Sequence, residues 1–215
     1  MRKVAINILS AAKIYAPKKI ENLDEKRIVP KMMVRRRLTR NAKIMLYLAD
    51  KCGFENGKIV YGSAFGELQP TAEITTSILN KLPISPTSFQ NSVYNTAPSY
   101  FSLLKKDTDE IITVSSGMKT SKDALKTAAL QALVSKEKVL CVVTECIDIP
   151  KIEEVKECTE FLESGAAVVI EIAKDSNGSV PINSVTNKGI IPSVKDLMDV
   201  VTMFENGSKK ILINL

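Results

Sequence analysis

The residues that invite a chemical reading lie between Asp109 and Leu133. The run Asp109-Glu-Ile-Ile-Thr-Val-Ser-Ser-Gly-Met-Lys-Thr-Ser121 and its Ala-rich continuation read as an apolar strand, a turn of small residues and a helix. Such an elbow holds one side chain out beside a helix N-terminus, where enzymes often place a nucleophile. The residue at its apex is Met118, flanked by Ser116 and Gly117. A thioether cannot become a thiolate, and the chain contains no histidine, the usual general base. Ser–Lys chemistry, using Ser115 or Ser116 with Lys119 or Lys122, stands against the ordinary role of such serines as turn formers. Met118 itself has two readings. It is either the tip of a disarmed elbow that still shapes an acyl or partner pocket, or a flexible plug in the core.

Three further stretches carry polar side chains at suggestive spacing. Gly62-Ser-Ala-Phe-Gly-Glu67 places two glycines after a short strand but lacks the Lys and hydroxyl of a phosphate-binding loop, so it predicts a tight turn with Glu67 capping or pairing nearby. Ser85-Pro-Thr-Ser-Phe89 combines a helix N-cap signal with an aromatic residue, and Phe89, Tyr94, Asn95, Tyr100 and Phe101 are candidate interface residues, weighed against plain loop and helix packing. The basic run of Lys31, Arg35, Arg36, Arg37, Arg40 and Lys43 admits three uses: a solvated face, a dock for an acidic carrier protein, or a nucleic-acid contact. Aromatic residues make up only 5% of the chain, which disfavours nucleic acid.

Three of these stretches, together with a fourth further along the chain, resemble β-ketoacyl synthases and their small chain-length-factor-like relatives, in the family's order. Thr113-Val-Ser-Ser-Gly-Met-Lys-Thr-Ser121 is similar to the ketosynthase elbow, with Met118 at the position of the nucleophilic cysteine. Ile59 to Glu67 and Ile84 to Ala97 resemble the Gly-Ser-x-x-Gly-Glu and Ser-Pro-Thr-x-Phe-x-x-Ser-Val-His-Asn motifs, Tyr94 standing where relatives carry His. Glu163-Ser-Gly-Ala-Ala-Val-Val-Ile-Glu171 is similar to a ketosynthase strand, and the likeness spans roughly residues 34 to 173. The resemblance implies a thiolase-like half and a non-catalytic accessory role in fatty acid, polyketide or aryl-polyene-type acyl-chain assembly. It implies as partners a second copy or a ketosynthase, with an acyl carrier protein at the surface of Arg35, Arg36, Arg37 and Arg40. A full ketosynthase is a tandem of two such halves, the second bringing the histidines. A half so derived is expected to present a large apolar face that something must cover.

The elements that would position these residues fit 215 residues of ordinary globular composition, 45% hydrophobic and 25% charged. One domain over 1–215 is expected, completed by a helix at Ser193–Phe204, a turn at Asn206-Gly207 and a strand at Lys210–Asn214. Alternation of the remaining segments predicts an α/β fold, a mostly parallel mixed sheet layered with helices. The first residues read as a strand, Val4 to Ile8, running into a helix, rather than as a signal peptide. Further helices are predicted at Leu38–Asp50, Pro70–Leu82 (with Ile74, Ile78 and Leu82 on one face), Ser121–Val134 and Ile152–Leu162. Cys52, Cys141, Cys146 and Cys158 show no C-x-x-C pair, so no metal site, cofactor motif or disulfide framework is expected, and free thiols suit a reducing cytoplasm. Cys141 and Cys146, five positions apart, should face opposite sides of one strand. Two rival functions remain open: acyl transfer or hydrolysis by a serine or cysteine, and a small-molecule or nucleic-acid binding module.

Overall fold

A computed structural model describes residues 3–149, 159–184 and 189–215. Its centre is β4, Val139–Cys146, buried at all eight positions. A strand with both faces buried must lie between two layers, and its side chains divide accordingly. Val139, Cys141 and Val143 join the core on one side of the sheet, Leu140, Val142 and Cys146 the core on the other. The opposite facing of Cys141 and Cys146 is therefore as the spacing predicts.

β4 sits in a seven-stranded sheet of order β3-β2-β4-β5-β1-β7-β6. The other strands are β1 (Lys3–Ala16), β2 (Lys58–Gly62), β3 (Ile111–Val114), β5 (Glu163–Ile172), β6 (Val180–Pro181) and β7 (Lys210–Asn214). β2 runs parallel to both β3 and β4, and β6 parallel to β7. β5 pairs antiparallel with β4 and β1, and β1 with β7. The class is α/β with a mixed sheet, but the parallel share is half of the pairings. Alternating elements specify crossovers only where sequence neighbours are also sheet neighbours, and β1 is drawn in between β5 and β7 instead.

On one face lie α3 (Arg40–Lys51) and α6 (Thr96–Lys105), capped by the small helices α1 (Glu25–Ile28) and α2 (Met32–Arg35). Thr39 starts α3 by accepting the Ala42 amide at 3.1 Å, leaving Ile44, Met45 and Leu48 wholly buried. The other face holds α7 (Thr120–Ser135) and the terminal helix α8 (Pro192–Glu205). Ala124, Ala128, Ala129 and Ala132 are fully buried on α7, and their small side chains let it approach both the sheet and α8. Gly62 is needed for that approach: a Cβ there would meet Val143 Cγ2 at 2.9 Å and Thr120 Cγ2 at 3.0 Å.

The reading of the first residues is also corrected. The opening strand does not turn into a helix at residue 9 but continues to Ala16, pairing residue by residue with β5 past a register shift between Ile8 and Ser10. Cross-strand pairing outweighs the helical preference of its alanines. The helix expected at Ile152–Leu162 falls mostly outside the described residues, and its last four, Thr159–Leu162, are not helical. The helix expected from Pro70 is α4, Leu68–Leu79, followed by α5, Pro86–Asn91. Its Ile74 is half-buried, while Ile78 and the following Leu82 face solvent. Neither short apolar face finds the core.

Candidate functional site

The elbow forms as the sequence suggests. β3 ends at Val114, a 3-10 turn covers Gly117–Lys119, and α7 follows at once. Gly117 sits at φ 55°, which glycine accepts without strain. Thr120 closes the turn: its Oγ1 accepts the Ser116 amide at 3.0 Å and donates to the Gly117 carbonyl at 2.7 Å. Met118 is 46% exposed at the apex, so its reading as a core plug is corrected; the tight turn throws its side chain outward. Ser115, Ser116 and Lys119 are also exposed, and no hydrogen bond joins either serine side chain to Lys119 or Lys122 among the described residues. Among the described residues the elbow offers a presented side chain with no lysine bonded to either of its serines.

The other motifs converge elsewhere, on the opposite side of the same sheet end. A cleft of about 520 Å³ is lined by residues from the basic run (Arg36, Arg37, Arg40), from the glycine turn (Glu67), from the Ser-Pro-Thr segment (Thr87, Ser88) and from the start of β5 (Glu163). Met118 does not line it. At its floor the Arg40 guanidinium grips Glu163 with two nitrogens, Nε on Oε1 at 2.7 Å and Nη2 on Oε2. Glu163 also accepts the Ile20 amide at 2.7 Å. Burial alone would lower the Arg40 pKa, yet hydrogen bonding and charge from Glu163 outweigh it and the value rises. Arg40 is thus removed from the expected docking surface. Arg35 is spent locally, donating to the Val29 carbonyl at 2.7 Å, whereas Arg36 and Arg37 remain exposed.

Glu67 is the second charged group at this floor. It is buried, accepts the Thr39 hydroxyl at 2.8 Å, and stands at the N-terminus of α4. Burial drives its pKa up to about 7, against the partial relief given by Thr39 and Asn41. The glycine turn before it is anchored by Glu145, a residue sequence reasoning passed over. Its carboxylate accepts the Ser63 hydroxyl at 2.9 Å and the Ala64 amide at 2.6 Å, and burial raises its pKa. A lone acid inside the apolar run Val139–Cys146 was the available signal. Tyr94 seals the turn from outside, its ring within 3.1 Å of where a Gly66 Cβ would be and its hydroxyl donating to the Ala64 carbonyl at 3.2 Å. Tyr100 donates to the Arg37 carbonyl at 3.0 Å. Phe89 and Asn95 are exposed, whereas Phe101 is wholly buried against Phe54 in the core, which corrects its reading as an interface residue.

A cysteine nucleophile finds no support in the three described thiols. Cys52, Cys141 and Cys146 are free and buried, and burial is the leading cause of the raised pKa of each, Cys52 reaching about 11. Cys158 lies outside the described residues. With three of the four cysteines protected, iodoacetamide at pH 8 should modify at most one thiol in the native protein and all four after denaturation, as read by intact mass. Among the described residues no helix is long and apolar enough to cross a membrane.

Comparison with known proteins agrees with this geometry. The structure matches a chain of the ketosynthase–chain length factor complex of Xenorhabdus doucetiae (ApeO with ApeC), with a TM-score of 0.63, 23% identity, and coverage of 79% of this chain and 80% of that one. The ishigamide ketosynthase/chain length factor aligns with a TM-score of 0.65 at 13% identity over 80% of this chain and 63% of its own. A type II polyketide ketosynthase with its acyl-carrier protein (AntDE:AntF) gives 0.58, 13%, 80% and 64%. The chain therefore spans under two thirds of the latter two. These likenesses establish the thiolase-like α/β fold. No curated protein matches by sequence. The family model of the β-ketoacyl synthase N-terminal domain matches residues 11–193. By that match, which takes in both the elbow and the cleft, the chain belongs to the β-ketoacyl synthase N-terminal domain family.

Proposed function

We propose that this protein is a non-catalytic, chain-length-factor-like partner of a ketosynthase in cytoplasmic acyl-chain assembly of the fatty acid, polyketide or aryl-polyene type. The observation that carries the reading is Met118, held outward on a well-formed elbow with no thiol at its tip, in a sequence that contains no histidine. The chain keeps the scaffold of a condensing site and lacks its nucleophile and base.

The surface for the ketosynthase is the pair α4 and α5. They pack on each other, and among their residues only Pro70 is buried. Leu79 is 77% exposed and Phe89 67%, with Ile78, Leu82 and Ile84 beside them in sequence and also exposed. An apolar face of this kind on two helices that the core does not hold calls for a partner. Arg36 and Arg37, exposed and without an ion pair among the described residues, are the cations that would steer an acidic carrier protein.

The test is purification of the tagged protein from its own cells at moderate salt, with partners identified by mass. A ketosynthase should co-purify, and Leu79→Asp should release it while changing folding stability by no more than about 0.5 kcal/mol, as usual for an exposed site. Recovery of this chain alone would sink the heterodimer. Met118→Cys should fold like the parent, because the side chain is half in solvent, yet should show no condensation of acyl- and malonyl-thioesters. Measurable condensation would overturn the non-catalytic assignment.

A further inference from the structure

The polar cleft has a feature that its place in a ketosynthase-like scaffold does not explain. Asn41, 1% exposed, lines it, and the Asn41 Oδ1 atom has no hydrogen-bond partner among the described residues. Its Nδ2 is already committed, donating to the Gly66 carbonyl at 2.9 Å. A buried acceptor left empty costs about 1–3 kcal/mol, so a donor is wanted at this point. Glu67 lies beside it, 3.4 Å from Asn41 Nδ2, and adds a second acceptor when ionised.

The same cleft carries charge of both signs. Lys19, Arg36 and Arg37 form no ion pair among the described residues, and Arg40 is neutralised by Glu163. Glu73, which accepts the Ser88 hydroxyl at 2.9 Å, and the exposed Asp148 are the remaining acids of the lining. Acceptors at the buried floor and free cations among the exposed residues call for a ligand with a donor at one end and an anion at the other. We propose that this cleft binds a small zwitterion, its protonated amine donating to Asn41 Oδ1 and Glu67 and its phosphate or carboxylate held by Arg36 and Arg37. At about 520 Å³ the space exceeds what a few waters need.

Titration calorimetry on the full chain tests this with O-phosphoethanolamine and β-alanine, which distinguish the two anions, against ethanolamine and inorganic phosphate alone. One of the two zwitterions should bind, and more tightly than either half-molecule. Arg36→Ala/Arg37→Ala should weaken it by more than about tenfold, since the loss of even one charge-assisted hydrogen bond costs about that much. Asn41→Leu should weaken it comparably; if that variant does not fold, Glu67→Gln serves, because it removes the floor's charge and keeps its shape. No heat from either zwitterion at about 10 mM would overturn the proposal. So would inorganic phosphate binding equally well, or variants that bind like the parent.

Discussion

Glu163→Ala is expected to remove about 3–5 kcal/mol of folding stability, the usual cost of leaving one member of a buried ion pair alone. Glu163 is 3% exposed and serves three elements at once. It opens β5, takes both faces of the Arg40 fork at the start of α3, and accepts the Ile20 amide from the preceding loop. Alanine would strand the guanidinium, whose other contacts are the Ile20 carbonyl at 2.9 Å and a longer reach of 3.7 Å to Glu25. For a chain of this size each kcal/mol moves the melting temperature by roughly 2–4 °C, so a fall on the order of 10 °C should appear in a thermal scan. The double variant Arg40→Met/Glu163→Met should recover part of it, because no charge is then left buried while the Ile20 amide and carbonyl still lose their partners. A single variant costing less than about 1 kcal/mol would mean that water reaches Arg40 freely, contrary to its packing.

That ion pair marks where sequence reading stopped. Arg40 stood in a run of basic residues and read as surface, and Glu163 read as the first letter of a strand. Nothing in one sequence says that positions 40 and 163 meet, since their partnership exists only once β5 is laid beside β4 and α3 crosses them. Local signals did better. Gly117 and the small residues around it fixed the elbow, the alanines of α7 fixed a close-packed helix, and the Asn206-Gly207 turn fixed the last hairpin-like bend before β7. Periodicity misled in two places for opposite reasons. Ala11 and Ala12 favour a helix but lie in β1 because β5 offers a full ladder. Ile78 and Leu82 keep helical spacing yet meet no core, because their face is turned to solvent. The first miss is tertiary override; the second is the feature that points to a partner.

The other large effect is a pH dependence centred on Glu67. Its folded-state pKa of about 7 lies above the ordinary 4.5, so the sign is that of a carboxyl the fold prefers to keep protonated. Below pH 4.5 the group is protonated in both folded and unfolded chains and contributes nothing. Between 4.5 and 7 the unfolded chain gives up its proton while the folded chain holds it, and stability falls as pH rises. Above 7 both forms are ionised and the loss is complete, roughly 3 kcal/mol in all. Glu67→Gln should erase that component. Its amide oxygen can still accept the Thr39 hydroxyl, so the variant should match the parent near pH 4.5 and exceed it by about 2–3 kcal/mol at pH 8. Urea unfolding at half-unit steps from pH 4.5 to 8 would draw both curves. Glu145, also buried and raised, leaves a residual slope of the same sign in the variant. Parallel curves for parent and variant would show that Glu67 is ionised at little cost, which requires a cation or donor at the cleft floor beyond Thr39 and Asn41.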